Sequence, residues 1–291
     1  MNLERRIEKA VTEATGETAC FTQFSSVGGG SINDSRIVDL QDGRRLFVKT
    51  HPCADNYPGM FAAEFQGLSL LAEPDVIRVP RAIAFDKDFI VMEAFRSAAP
   101  GKDWQELMGR RLATLHQATH RESFGFDGDN YLGTTQQPNA WMDNWVDFWR
   151  ERRLGWQLQL FSRKTDPDDR LLTLGGRLQE RLDELLGGVD EPAVLLHGDL
   201  WSGNAAADEQ GEPIIFDPAC YYGQREAEIG MMRLFGGFGA RCEAAYEEVW
   251  PLEPGADTRI TLYRLYHELN HLNLFGRGYY NTCIATMKQL L

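Results

Sequence analysis

Two short apolar runs in the second half of the chain, AVLLH at 193–197 and PIIFD at 213–217, constrain the fold most. Each has the length of a buried strand rather than of a helix. Each ends in polar residues: His197-Gly198-Asp199 after the first, Asp217-Pro218-Ala219 after the second. The segments around them show apolar residues at helical spacing, so a small sheet must sit among helices. A hairpin-like pairing of the two runs would bring Asp199, Asn204 and Asp217 to one edge.

The first third has a different texture. Leu3, Ile7, Ala10, Val11 and Ala14 recur at helical spacing and predict a helix over 3–14. Residues 18–27 read as extended. GGGS and SRIVDL follow, then the turn Gln41-Asp42-Gly43 and RRLFVKT, two extended runs joined as a hairpin. Phe61, Phe65, Leu68 and Leu71 predict a helix over 59–72. RAIAF and FIVMEAF, on either side of Asp86-Lys87-Asp88, predict two more strands. The sum is an antiparallel sheet of about five strands with a helix inserted after the third. After the Ser97–Gly101 stretch the chain turns mainly helical. Leu107, Leu112 and Leu115 mark one helix, and Trp141, Trp145, Phe148, Trp149 and Trp156 another. Leu171 to Leu186 mark a third, and residues 226–291 are helical again. The expected class is α+β and bilobal, with lobes 1–95 and 96–291.

Composition narrows the function classes. The chain has 291 residues, 43% hydrophobic and 25% charged, enough for two lobes. A formal net charge of −13 argues against broad phosphate-backbone binding, so no nucleic-acid partner is expected. Residues 1–17 lack the apolar core of a signal peptide, and no apolar stretch approaches the ~20 residues of a membrane helix. The five cysteines are scattered and odd in number, with no CxxC pair. That fits reduced thiols in a cytoplasmic protein, expected to be monomeric and without a membrane partner.

The chemistry-bearing residues form an ordered set. H-x-D-x-x-x-x-N followed by a second aspartate is the pattern of a kinase catalytic loop and its metal aspartate. Asp199 would accept the proton of a substrate hydroxyl. Asn204 and Asp217 offer hard oxygen ligands suited to Mg²⁺. The first third supplies the parts such a loop requires. Gly28-Gly29-Gly30-Ser31 lies between two strands, where glycines let backbone N–H groups approach phosphate oxygens. Lys49 ends the third strand and would hold the phosphates of ATP. Glu64, 15 positions on in a helix, would pair with it. Phe89–Phe95 would lead into a hinge for adenine, with Met92 behind it and the Glu93 carbonyl and Phe95 N–H as hydrogen-bonding groups. Taken singly, each has a plain alternative: a glycine turn, a solvated lysine, a surface glutamate, a core methionine, a helix cap. Their order and spacing agree with one arrangement.

Two details argue for a small-molecule acceptor rather than a protein. Gly198 stands where protein kinases have the arginine that meets a phosphorylated activation loop. Only about nine residues separate Asp217 from the helix beginning near Glu226, which leaves no room for such a loop.

HGDLWSGN, DPACYYGQREAEIGMMRLFGGF, FGFDGDNYLGTTQQPN and WVDFWRERRL together resemble the fructosamine kinase (ketosamine kinase) family. That family shares its fold with aminoglycoside phosphotransferases and choline kinases. The resemblance covers nearly the whole chain, and the LWSGN and YYGxRE…LFGGF elements are its most specific parts. It implies ATP- and Mg²⁺-dependent phosphorylation of a ketosamine at its 3-hydroxyl, leading to deglycation. By the same resemblance Asp199 is the base, Asn204 and Asp217 hold Mg²⁺, Lys49 holds phosphates and Glu64 orients Lys49. Some members carry cysteine directly after the glycine run. Ser31 stands there in this chain, which argues against a redox switch at that point.

For the sugar, Trp201 offers an indole face and an N–H two residues after the base. Tyr222 and His267 are further substrate candidates. Trp141 continues the aromatic stripe and is expected in the core. His267 and His271 are spaced i, i+4 without the context of a zinc helix. Arg225 and Glu226 are expected to brace the helix after the metal aspartate. Two rival functions stay open on the sequence: another small-molecule kinase of this fold, acting on aminoglycosides or choline, and a nucleotide-binding pseudokinase scaffold.

Overall fold

The computed structural model describes residues 2–27 and 33–291. The N-terminal part begins with α1 (Leu3–Thr15), capped by the Asn2 side chain, which accepts the Arg5 N–H at 3.1 Å. Then come β1 (Phe21–Val27), β2 (Asp34–Leu40), β3 (Arg45–Thr50), α2 (Met60–Ala72), β4 (Ala82–Asp86) and β5 (Phe89–Glu93). Next are α3 (Trp104–Ala118), β6 (His120–Arg121), β7 (Asn130–Leu132) and β8 (Thr135–Gln137). α4 (Trp145–Phe148) passes through a π-helical turn (Trp149–Leu154) into α5 (Gly155–Ser162). α6 (Asp169–Glu180), α7 (Leu182–Leu186), β9 (Ala193–Leu196), β10 (Ala205–Ala207), β11 (Pro213–Ile215) and β12 (Tyr221–Gly223) follow. α8 (Glu226–Leu234), α9 (Ala240–Val249), α10 (Ala256–Phe275) and α11 (Tyr280–Leu290) end the chain.

The chain forms two compact units. One comprises the residues to Trp104 together with Ala205–Pro218; the other comprises Gln105–Asn204 and Ala219–Leu291. This differs from the single break expected near residue 96. The reason is the β10–β11 hairpin, which joins the N-terminal unit although it lies a hundred residues downstream of it.

In the N-terminal unit the five strands run in the order β1-β2-β3-β5-β4, all antiparallel, as the alternation and the Asp-Gly turn predict. One face of this sheet closes on α1: Ile7 and Val11 pack with Val38, Leu40, Leu46, Val48, Phe89 and Val91. Side chains alternate across a strand, so Lys49 points to the face opposite Leu46 and Val48. β10 and β11 pair with each other and clasp the stretch after β5. The Ala98 N–H bonds the Ala207 carbonyl at 3.0 Å and the Gly101 N–H bonds the Gly211 carbonyl at 2.9 Å. The Trp104 indole donates to the Ala206 carbonyl at 3.2 Å, and Glu209 accepts the Arg96 N–H at 2.7 Å.

The C-terminal unit is built on α10, which is buried on nearly every side, as a helix at the centre of a bundle must be. α8 crosses it closely at Gly230, where a Cβ would stand 2.9 Å from the Tyr263 Cβ. A small sheet, β12-β9-β6, lies beside these helices. The expected pairing of 193–197 with 213–217 is therefore not formed: β9 pairs with β12 and β6, and β11 with β10. β11 takes its partner across the tight turn at 208–212, at a low loop-closure cost, whereas β9 pairs with the more distant β12, Leu196 facing Tyr221. Trp141 also departs from expectation. It lies before α4, outside the helix, and is 41% exposed. Among the described residues no helix is long and apolar enough to cross a membrane.

Candidate active site

In the N-terminal unit, Lys49 on β3 meets Glu64 on α2, Nζ to Oε1 at 2.6 Å, and also bonds the Asp217 carboxylate. Lys49 and Glu64 are 5% and 8% exposed, so the pair is out of solvent. Burial disfavours the ammonium, but the carboxylates of Asp217 and Glu64 outweigh it, and the Lys49 pKa is raised. Burial raises the pKa of Glu64, with Lys49 opposing. Asp217 has φ of +60°, a left-handed conformation that costs a non-glycine residue about 1–2 kcal/mol. Such strain concentrates at functional positions.

The expected hinge residues lie in the same unit. Met92 is buried, opposite Phe47 and Ala82 in the ladder. The Glu93 side chain accepts from Arg78 at 2.6 Å, and its N–H donates to the Arg81 carbonyl at 2.9 Å. The ring of Phe95 lies 5.5 Å from that of Phe216. Arg78 also binds Asp208 and Glu209, so one guanidinium ties the end of β5 to the β10–β11 turn. Gly28, Gly29, Gly30 and Ser31 lie outside the described residues.

In the C-terminal unit, the fully buried β9 delivers His197, Gly198 and Asp199 to its end. Gly198 has φ of +80°, and a Cβ there would stand 2.1 Å from the Ala219 carbonyl oxygen. An arginine cannot occupy this position with the backbone as it is. The N–H groups of His197 and Gly198 both donate to the Glu228 carboxylate on α8, at 2.5 and 3.1 Å. The Asn204 amide nitrogen donates to the Asp199 carbonyl at 2.9 Å and to its carboxylate at 3.1 Å. An amide oxygen and a carboxylate, from Asn204 and Asp217, are donor chemistry that suits a hard divalent cation.

The substrate candidates separate. Trp201 folds over Gly203, where a Cβ would stand 2.3 Å from the indole, and its ring lies 5.6 Å from Phe235. Tyr222 is buried in β12, with Arg121 over its ring at 5.1 Å and Trp141 at 5.7 Å. His267 is buried on α10; burial, His271 and Arg153 lower its pKa to about 3, so the ring is neutral. Arg225 and Glu226 brace α8 as expected, through Glu191 at 2.6 Å and Arg259 at 2.6 Å respectively.

Glu228 is the functional residue that sequence reasoning missed. It sits among the charges of REAEIG, and nothing local distinguishes a buried carboxylate there from a surface one. A second group, Asn130, Gln137 and Arg153, was also missed, and Asn139, a weaker sugar candidate on the sequence, joins them through Asn130 and Arg153 at 2.8 and 2.7 Å. Asn130 donates to the Cys220 carbonyl at 2.7 Å and Gln137 to the Ala219 carbonyl at 3.1 Å, so this network holds the turn before β12. FGFDGDNYLGTTQQPN and WVDFWRERRL supply these residues, which gives those motifs a physical purpose.

Comparison with known proteins decides the family. The model of the family described as fructosamine kinase matches residues 3–291. The chain belongs to the fructosamine kinase family. A Synechocystis relative provisionally named a ketoamine kinase is 40% identical over 292 residues, covering 98% of this chain and 96% of its own. The chloroplastic protein-ribulosamine 3-kinase of Oryza sativa subsp. japonica is 40% identical over 282 residues, 95% of this chain and 81% of its own. A crystal structure of a Thermobifida fusca protein, provisionally named a fructosamine-3-kinase, superposes with a TM-score of 0.87. It is 33% identical and covers 97% of each chain. A macrolide 2′-phosphotransferase, 14% identical with a TM-score of 0.61, shares the fold alone. This fructosamine kinase family member is thus a small-molecule kinase with a protein-kinase-like fold, as its motifs indicate.

Proposed function

We propose that the protein transfers the γ-phosphoryl group of ATP to the 3-hydroxyl of a ketosamine, a sugar joined to an amine through Amadori rearrangement. The observation that carries the kinase chemistry is the buried Lys49, held by Glu64 and Asp217 together. A nucleotide-binding scaffold without activity would be expected to lack at least one of Lys49, Glu64, Asp199, Asn204 and Asp217, and all five are present. The ketosamine substrate follows from family membership and from the names its relatives carry.

Each residue has a physical task. Asp199 takes the proton of the 3-hydroxyl as the sugar oxygen bonds to phosphorus and the bond to the β-phosphate oxygen breaks. Asn204 holds the Asp199 carboxylate in place, and Glu228 fixes the backbone on which it stands. Lys49 neutralises phosphate charge, and Glu64 keeps its ammonium aimed. Asn204 and Asp217 would hold Mg²⁺, whose charge offsets that building on the transferring phosphoryl group. Met92, Glu93 and Phe95 are the proposed adenine contacts, and Trp201 the proposed sugar contact. The product 3-phosphate is allylic in its enaminol form, so phosphate leaves and water then frees the amine. Five free cysteines support action in a reducing, cytoplasmic setting, and a monomer suffices for every role named.

The test is ADP release with fructosyl-, ribulosyl- and erythrulosyl-lysine, choline and kanamycin, run in parallel on the Asp199→Asn protein. Ketosamine-dependent release is expected, falling by about 10²- to 10⁴-fold in the variant while ATP still binds. Release with choline or kanamycin alone overturns the substrate, and near-normal turnover of the variant removes Asp199 from the role of base.

A further inference from the structure

Trp201 is the first of a connected series of rings in the C-terminal unit. Its indole lies 5.6 Å from Phe235, and Phe235 lies 5.0 Å from the His271 imidazole. His271 in turn lies 5.5 Å from Phe275 and 5.1 Å from Tyr279. The rings come from the loop carrying Asp199, the turn after α8, and the end of α10 with the turn beyond it. Phe235 is 41% and Phe275 57% exposed. A single exposed aromatic is ordinary. Exposed aromatics linked by further rings to Trp201 make an aromatic series that starts on the loop carrying the base.

The surface is preorganised. Gly236 and Gly237 follow Phe235 with φ of +69° and +97°, and a Cβ on Gly237 would stand 2.2 Å from the Ser202 Cβ. The turn's backbone is therefore pressed onto the catalytic loop. Gln105 fastens it: its Nε2 donates to the Gly237 carbonyl at 3.0 Å and its Oε1 accepts the Gly239 N–H at 2.9 Å. The His271 ring is fixed as well. Its Nδ1 bonds the His267 carbonyl at 2.8 Å, and because a carbonyl only accepts, that nitrogen carries the proton. Burial lowers the pKa of His271, which keeps the ring neutral and free of repulsion toward a cation.

We propose that Trp201, Phe235, His271 and Phe275 form the subsite for the amine side of the substrate, selecting ketosamines whose amine bears an apolar or aromatic group. The proposal rests on the ketosamine substrate given above. A hydroxyl held at Asp199 leaves the amine two carbons from the carbon that bears it, so the amine substituent must leave the site along its walls. The secondary amine is an ammonium at neutral pH, which the faces of Trp201 and Phe235 attract. An apolar group beyond it gains by covering Phe235 and Phe275.

The experiment compares kcat/KM for fructosyl-phenethylamine and fructosyl-methylamine, which share sugar and charge and differ only in the apolar group. The native protein is expected to favour the phenethylamine adduct about tenfold, equivalent to about 1.4 kcal/mol. Phe235→Ala and Phe275→Ala should each reduce that preference several-fold, mainly through KM for the larger adduct. Phe85→Ala, another exposed aromatic in the N-terminal unit, should leave it intact. Equal kcat/KM for the two adducts in the native protein overturns the subsite, as does a preference that survives both ridge variants. A fall for both adducts alike overturns it too, since that marks damage to the site rather than loss of one wall. If the native protein phosphorylates neither adduct, the ketosamine substrate itself fails, and the subsite with it.

Discussion

Gly198 shows how much one missing side chain decides. The position needs a positive φ and has a carbonyl oxygen where a Cβ would go. Gly198→Ala should therefore lose at least about 2 kcal/mol of stability, from the left-handed penalty and the clash together, and turnover with it. Chemical denaturation and a turnover assay measure both, and an alanine protein with native values in each would show that the turn relaxes freely. The sequence presented the absence of arginine at this place as a sign that no activation loop is read. The structure adds that no β-carbon fits. Glu228 illustrates the opposite limit. HGD and Asn204 are legible because their partners lie within six residues, whereas Glu228 acts on His197 from 31 residues away. Only the packing of α8 shows that Glu228, like its charged neighbours Arg225 and Glu226, is buried.

Among the elements, the long periodic helices and the five-stranded sheet were readable, because each repeats one pattern over several turns or strands. β10 and β12 were not. AAA and YYG are three residues each, too short to show a period, and YYG takes its partner from β9, beyond the whole β10–β11 hairpin. The cost of missing them was a misplaced pairing and a unit boundary set too simply. The β10–β11 hairpin matters because its turn grips the residues after β5. Glu209 accepts the Arg96 N–H and binds Arg78, which holds its pKa down at about 2. Glu209→Ala should speed hydrogen exchange at the Arg96 amide while β1–β5 keep their protection. Unchanged exchange at Arg96 would mean that the backbone pairings at Ala98 and Gly101 suffice without it.

For the whole molecule, buried histidines set the response to acid. His116 and His267 are buried and their pKa values are lowered by burial, that of His267 to about 3. The unfolded chain takes up these protons near pH 6.5 and the folded chain does not, so stability falls as pH drops below about 6.5. For His267 the loss continues down to about pH 3, at about 1.4 kcal/mol per pH unit. Melting temperatures should stay level from pH 7.5 to about 6.5 and fall from there to pH 5, and His267→Asn should flatten part of that slope. A melting temperature that holds constant over this range would show that the two rings gain protons in the folded state.

The passage of Ala205–Pro218 into the N-terminal unit also dictates an order of assembly. Lys49 gains Glu64 fifteen residues after its own synthesis, but Asp217 is 168 residues away. At roughly 5–20 residues per second, the ribosome delivers that second carboxylate about 10–30 s later. Until then the nascent chain exposes a stretch after β5 whose clasp has not been made. A fragment ending at Trp104 would stop permanently at this stage: it would carry Lys49 and Glu64 but lack the strand pair and the aspartate that complete the unit.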